Sequence, residues 1–493
     1  MNKEDYYLNK IKKLLDADQR IFDRPALPEN PKTIHIIGVC GTAMGTLAGL
    51  LVEKGYKVSG SDQMCLPPIS DMVEKLDVDL HIGNYQKENV ENKDLIVIGN
   101  VARAHNPEVK FARENNLPQA SMPETIRKYV FDKANRIVVA GTHGKTTTTG
   151  LLVKIFEVAG KDPGYMIGGV PQGKEKSFSL GKGDYAIFEG DEYNTAYFDE
   201  SPKFLHYGAH SAIVTSLEFD HLDLYESFED YKQAFDFFVN DLPAEGFLFL
   251  SNQYEILKEI SNDTKAKVYF YGEKDSDISF ENLRQENEYQ MFDVIFEGNN
   301  LGEIKTPLSG LHNVYNILAS VGVALKYNIS FEDIQKAILE FRGMKRRQEI
   351  LSNQNGIIVM DDFAHHPTAV KTTVNGVKNK FKNKRLIAVF EPSTRSSRNK
   401  IFEENYINAF NDADMVYFKI PKAKEADDLS GLIDGNYIVD ELNKKNIESY
   451  FHNDSEEILN DLAPKLKEGD LVLVMSHGNF DGIRQKLIDK ISK

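Results

Sequence analysis

Cysteine is scarce in this chain: Cys40 and Cys65 are the only two in 493 residues. So small a number excludes a disulfide framework and a cysteine-built metal centre, and it fits a reducing cytoplasm. Basic charge is also in deficit. The formal net charge is −16, which argues against a broad nucleic-acid footprint, because a phosphate backbone demands a basic face. A nucleotide needs only a local pocket and is not excluded. No apolar run reaches the ~18 residues of a membrane-spanning helix. The N-terminal stretch "MNKEDYYLNKIKKLLDADQR" is charged throughout and lacks the apolar centre of a signal peptide. Low-complexity segments are absent. These deficits predict a soluble chain with neither a membrane nor a nucleic-acid partner, and they leave its oligomeric state unknown.

What is present is ordinary globular material, 41% hydrophobic and 27% charged. Its length is too great for one core and suggests about three domains. Leu8, Ile11, Leu14 and Leu15 recur at helical spacing near the N-terminus. The three prolines of "RPALPENPK" then read as a linker. Three later segments share one pattern of apolar strand, polar or glycine-rich turn, then helix. They are "TIHIIGVCGTAMGTLAGLLVEKG", "NRIVVAGTHGKTTTTGLLVKIFEVAG" and "KRLIAVFEPSTRSSRNKIFEENYINAF". Apolar strands alternating with helices predict parallel sheets with crossover helices, and ligands at strand C-termini. The expected division is an extension and linker over 1–30, then α/β domains over 31–130, 131–344 and 345–493.

The second turn carries the sharpest chemistry. In "VVAGTHGKTTTTGLL", Gly141 and Gly144 allow a tight turn with inward-pointing amides. Thr142 and His143 lie between them, and Lys145, Thr146 and Thr147 open the helix. Lysine suits the β- and γ-phosphates of a nucleotide, the Thr146 hydroxyl suits Mg²⁺, and a helix N-terminus favours the same anion. The match to the full phosphate-loop pattern is partial, since Val139 stands where the first glycine belongs. The bland reading is a glycine-rich turn with a solvated lysine. Strand before, helix after and a Lys-Thr pair favour phosphate.

The first turn, with Gly38, Cys40, Gly41, Thr42, Ala43 and Met44, lacks the dinucleotide GxGxxG spacing. Asp62 follows the next strand, where a ribose-binding acid could sit. Close helix–strand packing explains these glycines equally well. Metal ligands are available in "YAIFEGDEYNTAYFDE", with Glu189, Asp191 and Glu192, and in "AIVTSLEFDHLDLY", with Glu218, Asp220, His221 and Asp223. Carboxylates suit Mg²⁺, imidazole less so, and solvated acidic loops are the alternative. "SGLHNVYNILAS" sets His312, Asn313 and Asn316 at a helix start. The asparagines share a face and could read a purine edge, or His312 or Asn313 could cap the helix. "VMDDFAHHPTAV" brings Asp361, Asp362, His365 and His366 after a strand, as a surface or zinc cluster in the bland reading.

In this order, "GTHGKTTT", "FEGDEYNTAYF", "EFDHLD", "GLHNVYN", "GMKRRQE" and "DDFAHHPT" resemble the Mur ligase family of ATP-dependent amide-forming enzymes of the bacterial cell wall. The resemblance covers nearly everything after residue 31. It implies an α/β protein of three domains: an N-terminal Rossmann-like UDP-binding domain, a central P-loop ATPase and a C-terminal Rossmann-like domain. It implies ATP and Mg²⁺ as cofactors, with Lys145 on phosphate and Thr146, Glu189 and His221 as metal ligands. Lys145, Glu189 and His221 are then the catalytic candidates. ATP would meet Gly141 to Thr147, His312, Asn313, Asn316, Arg347 and Asp362. The UDP-sugar would meet the first turn, Asp62 and Asn100. "GVCGTAMG", "DEYNTAYFD", "LEFDH" and "MSHGNFDGI" look most like the branch that rejoins the tripeptide L-Ala-γ-D-Glu-meso-diaminopimelate to UDP-N-acetylmuramate; the branch that adds L-alanine is the competitor. Arg395 and Arg398 in "EPSTRSSRNK" would hold the peptide's carboxylates. The family often has asparagine where this chain has Ser216. Several branches carry a carbamoylated lysine near the position of Phe235, where no carbamate is expected here. A nicotinamide-dependent dehydrogenase would leave the Lys-Thr loop unexplained, and a nucleotide-gated binding protein would lack amine-dependent turnover.

Overall fold

The computed structural model describes residues 24–66, 69–218, 225, 227–394, 396–419 and 431–492. The expected N-terminal helix, His221 and Arg395 lie outside them. Strand β1 (Thr33–Ile37) runs through the first glycine turn into helix α1 (Thr42–Lys54). β2 (Lys57–Asp62) pairs in parallel with β1. They belong to a five-stranded sheet among the described residues. Its central strand β1 and the neighbouring strand Leu95–Ile98 are largely apolar and buried, as the middle of a parallel sheet covered by helices requires.

The second unit is built around β3 (Asn135–Ala140), which leads into α2 (Lys145–Val158). β3 lies between β4 (Tyr185–Glu189) and β5 (Ser211–Val214), parallel to both. The C-terminal ends of these three strands therefore emerge side by side. Helix α3 (Leu311–Lys326) packs on the same sheet. An antiparallel meander, residues 278–306, extends it to ten strands. The third unit places β6 (Ile357–Asp362), α4 (Pro367–Lys380), β7 (Arg385–Glu391) and β8 (Asp470–Ser476) in a six-stranded sheet, with β8 between β6 and β7. The helix expected directly after the β7 turn is delayed. Two short 3₁₀ turns, Ser396–Arg398 and Lys400–Phe402, precede helix Glu403–Ala409.

One apolar cluster runs from the first sheet into the second, joining Leu47 and Val97 to Phe178 and Phe204. The ring of Phe178 sits on Gly49 of α1, where a Cβ would lie 2.2 Å from it. That contact requires glycine. The third unit fills its own core on both faces of its sheet.

Cys40 and Cys65 are joined in a disulfide, with Cα atoms 5.2 Å apart. The scarcity of cysteine reads as fitting a reducing cytoplasm, and a single bridge does not follow from that reading. A count of two excludes a framework but not a single bridge. The turn after β1 and the segment after β2 leave the same end of adjacent parallel strands, so residues 25 apart in sequence become neighbours. Among the described residues no helix is long and apolar enough to cross a membrane.

Candidate active site

The loop after β3 has the backbone its glycines promise. Gly141 has φ +123° and Gly144 φ +85°. A Cβ at Gly141 would lie 2.3 Å from Thr215 Oγ1, and one at Gly144 2.5 Å from Asn316 Oδ1. Only glycine fits at either place. Lys145 curls back over the loop. Its Nζ donates to the carbonyls of Gly141 and Thr142 and to Glu192 Oε1 at 2.9 Å. Burial would lower the Lys145 pKa, but Glu192, Glu189 and Asp191 raise it above its ordinary value. The site therefore keeps a full ammonium charge beside the loop.

At the end of β4, Glu189 Oε1 accepts from Thr146 Oγ1 at 2.8 Å, and Oε2 accepts from the Gly168 backbone at 2.8 Å. A hydroxyl and a carboxylate side by side are the hard oxygen donors that Mg²⁺ takes. The glycine cradle, the ammonium and this oxygen pair together fit a nucleotide phosphate with its metal. Glu192, 2% exposed, serves as the resting counter-charge of Lys145.

The segment after β5 braces the loop from the other side. Ser216 Oγ accepts from His143 N at 2.8 Å, so a serine hydroxyl engages the backbone where the family often has asparagine. Thr142 Oγ1 both donates to the Glu218 carbonyl and accepts from its backbone N–H. The Glu218 side chain accepts from Tyr254 and from Thr368 of α4, and pairs with His143 at 3.3 Å. Burial would raise the Glu218 pKa, but hydrogen bonds from His143, Thr368 and Tyr254 hold its carboxyl down at about 2. Thr147 continues into the first turn of α2 with its side chain half-buried.

Asn313 and Asn316 are neighbours, as their spacing predicts: Asn316 Nδ2 donates to Asn313 Oδ1 at 3.2 Å. Asn316 lies against the phosphate loop, accepting from Thr148 at 3.2 Å, and Asn313 donates to the Ser309 carbonyl. Neither His312 nor Asn313 caps α3; Gly310 holds the cap position, without a side-chain bond. Burial, then Arg347, push the His312 pKa down to about 4, so its ring is neutral. Arg347 stacks 4.9 Å over Phe363. Asp362 accepts from the backbone of Gln348 and Ala364, and burial raises its pKa against the opposing pull of Arg347. His312, Arg347 and Asp362 thus meet at the seam between the second and third units.

Sequence patterns give less warning of Arg346. Its side chain donates to Asp361 and to the carbonyls of Ser476, His477 and Gly478, tying the junction to the end of β8. The run of basic residues in "GMKRRQE" was the available signal. In the first unit, Gly38 has φ +84°, and Asp62 Oδ2 accepts from Cys40 N at 3.0 Å. Cys40 reaches that turn as half of a disulfide, not as a thiol. Thr42 is exposed, Ala43 and Asn100 half-buried, and Met44 turned inward. Gly41 takes the cap position of α1. Arg398 is buried and donates to the Thr394 carbonyl.

Family profiles match in the same order as the three sheets. The Mur ligase family catalytic domain matches residues 33–131, the Mur ligase middle domain residues 139–324, and the Mur ligase glutamate ligase domain residues 346–478. The chain belongs to the Mur ligase family. It is accordingly an ATP-dependent, amide-forming ligase of peptidoglycan synthesis. The UDP-N-acetylmuramate–L-alanyl-γ-D-glutamyl-meso-2,6-diaminoheptandioate ligase of Haemophilus influenzae is 32% identical over 93% of this chain and 99% of its own length. The UDP-N-acetylmuramate–L-alanine ligase of Clostridium tetani is 33% identical over 91% and 96%. Among solved structures, a murein peptide ligase from Psychrobacter arcticus superposes with a TM-score of 0.67 at 31% identity, covering 94% of this chain and 99% of its own. A UDP-N-acetylmuramate-alanine ligase from Thermotoga maritima superposes at 0.76 with 23% identity over 94% and 99%, a likeness of fold.

Proposed function

We propose that this Mur ligase joins the tripeptide L-Ala-γ-D-Glu-meso-diaminopimelate to UDP-N-acetylmuramate, in peptidoglycan recycling. What supports the choice is the 31% identity to a solved murein peptide ligase over 94% of this chain, beside the 32% identity to the Haemophilus influenzae ligase over 93%. The L-alanine reaction is the second reading, favoured by the 33% identity of a curated L-alanine ligase. A cytoplasmic location goes with both readings, because both draw on nucleotide substrates.

Residues 31–130 are assigned the UDP-sugar, 131–344 the ATP and 345–493 the amine. The lactyl carboxylate of UDP-N-acetylmuramate attacks the γ-phosphate of ATP, giving an acyl phosphate and ADP. The peptide amine then attacks the acyl carbon, and phosphate leaves as the amide forms. Such transfers rest on positioning and charge neutralisation, so no nucleophilic side chain is required. In this scheme Lys145 releases Glu192 to meet the phosphates, while the loop amides hold their oxygens. Thr146 and Glu189 would hold Mg²⁺, with His221 as a further ligand, and the ion supplies charge neutralisation when bound. Arg347, Asp362, His312, Asn313 and Asn316 border the nucleotide. Gly38, Cys40, Gly41, Thr42, Ala43, Met44, Asp62 and Asn100 border the UDP-sugar, and Arg395 and Arg398 take the peptide's carboxylates.

Phosphate release with ATP and UDP-N-acetylmuramate fixed, across the tripeptide and L-alanine, tests this reading. A kcat/KM at least tenfold higher for the tripeptide is expected. Preference for L-alanine would reassign the chain to the sister reaction, and release independent of any amine would remove the ligase reading.

A further inference from the structure

His143, Glu218 and His366 come from three separate segments and meet where the phosphate loop faces α4. Their donor atoms all lie within 4.8 Å of one another. The ligase chemistry above uses the backbone around His143 but leaves the two imidazoles without a task. Two imidazoles and one carboxylate with room for a further ligand are the donor set of open zinc sites, and imidazole disfavours Mg²⁺. A tetrahedral ion with bonds of about 2.0–2.1 Å keeps its donors roughly 3.3 Å apart. His143 Nε2 and Glu218 Oε2 already stand 3.3 Å apart. With every pair of donors within 4.8 Å, no pair needs to close by more than about 1.5 Å to reach that spacing.

The surroundings hold these groups in place. Glu218 Oε1 accepts from Tyr254 at 3.1 Å and Oε2 from Thr368 at 3.0 Å, the outer hydrogen bonds that orient a ligating carboxylate. His143 is anchored through its backbone to Ser216. His366 is 8% exposed, occupies the cap position of α4, and packs its ring 5.0 Å from Phe402 and 5.3 Å from the His143 ring.

We propose that His143, Glu218 and His366 form a binding site for one divalent transition-metal ion of the zinc class, distinct from the Thr146–Glu189 position. His143 belongs to the phosphate loop and His366 to the third unit, so an ion held by both fixes their spacing. Zinc at this site pins the third unit to the loop and slows any cycle that must separate them.

The test is a Zn²⁺ titration of the full chain without nucleotide or amine, so that it stands apart from the ligase reading. Co²⁺ absorption in the visible range serves as the spectroscopic counterpart. One ion per chain with micromolar or tighter affinity is expected, with intense tetrahedral Co²⁺ bands. His366→Ala and His366→Gln, each checked for an unchanged melt, should weaken Zn²⁺ binding at least tenfold, and Glu189→Gln should leave it unchanged. Binding insensitive to both His366 variants, binding lost in Glu189→Gln, or no saturation below about 1 mM would each overturn the proposal.

Discussion

The two seams of this molecule are built of different material. Between the first and second units the chain continues one apolar core, with Phe178 pressed on Gly49 and Tyr197 bonding Gln119 across the gap. Between the second and third units hydrogen bonds cross: Thr368 to Glu218, Lys380 to the Pro307 carbonyl, and Ser309 to Gln348. Apolar burial is non-directional, and it is lost steeply when surfaces part. Hydrogen bonds exchange with water at a net cost of about 0.5–1.5 kcal/mol each. The first seam is therefore a permanent join, and the second can open and close at low cost. The phosphate loop, Arg347 and Asp362 lie at the second seam, where an enzyme that admits two large substrates needs to move.

The largest effect expected comes from Lys145. Removing its charge should lower turnover by roughly a thousandfold, the order found when a transition-state donor is deleted. It should also destabilise the fold by about 3 kcal/mol, because Glu192 is buried against it. The double variant Lys145→Met/Glu192→Gln should recover the melt without recovering turnover. If the double variant stays as unstable as Lys145→Met, the pairing with Glu192 is not what Lys145 does at rest. Next comes the apolar seam. Phe178→Ala should cost about 3–5 kcal/mol in a denaturant melt and leave the amine preference of the surviving enzyme unchanged. A loss under about 1 kcal/mol would mean that the join is not a shared core. The smallest effect belongs to the polar seam. Thr368→Val removes one bond to Glu218 and should cost less than about 1.5 kcal/mol in stability, while lowering kcat/KM a fewfold. A stability loss as large as that of Phe178→Ala would erase the contrast between the seams.

How much of this was legible in the sequence follows the same divide. Strands and turns were readable wherever the cause is local: apolar runs ending in glycine at 141 and 144, a lysine and threonine opening α2, an Asn pair one turn apart on α3. Partners distant in sequence were not. Lys145 meets Glu192 and Cys40 meets Cys65 because parallel strands bring their C-terminal ends together, and Gly144 meets Asn316 because α3 packs against the same sheet. The antiparallel meander at 278–306 was missed for another reason. Its first strand "ISFENLRQE" is largely exposed and polar, so it carries little hydrophobic signal. Thr368 lay inside a motif that was read for its histidines, yet its hydroxyl is what crosses the seam.

Hydrogen exchange on the intact chain, with and without ATP, Mg²⁺ and UDP-N-acetylmuramate, tests the account most directly. The account predicts new protection in the Gly141–Thr147 loop and at the start of α4 around Thr368, with the Gly49–Phe178 contact unchanged. Protection that appears at the Gly49–Phe178 seam, with the loop and α4 left as they were, would contradict it.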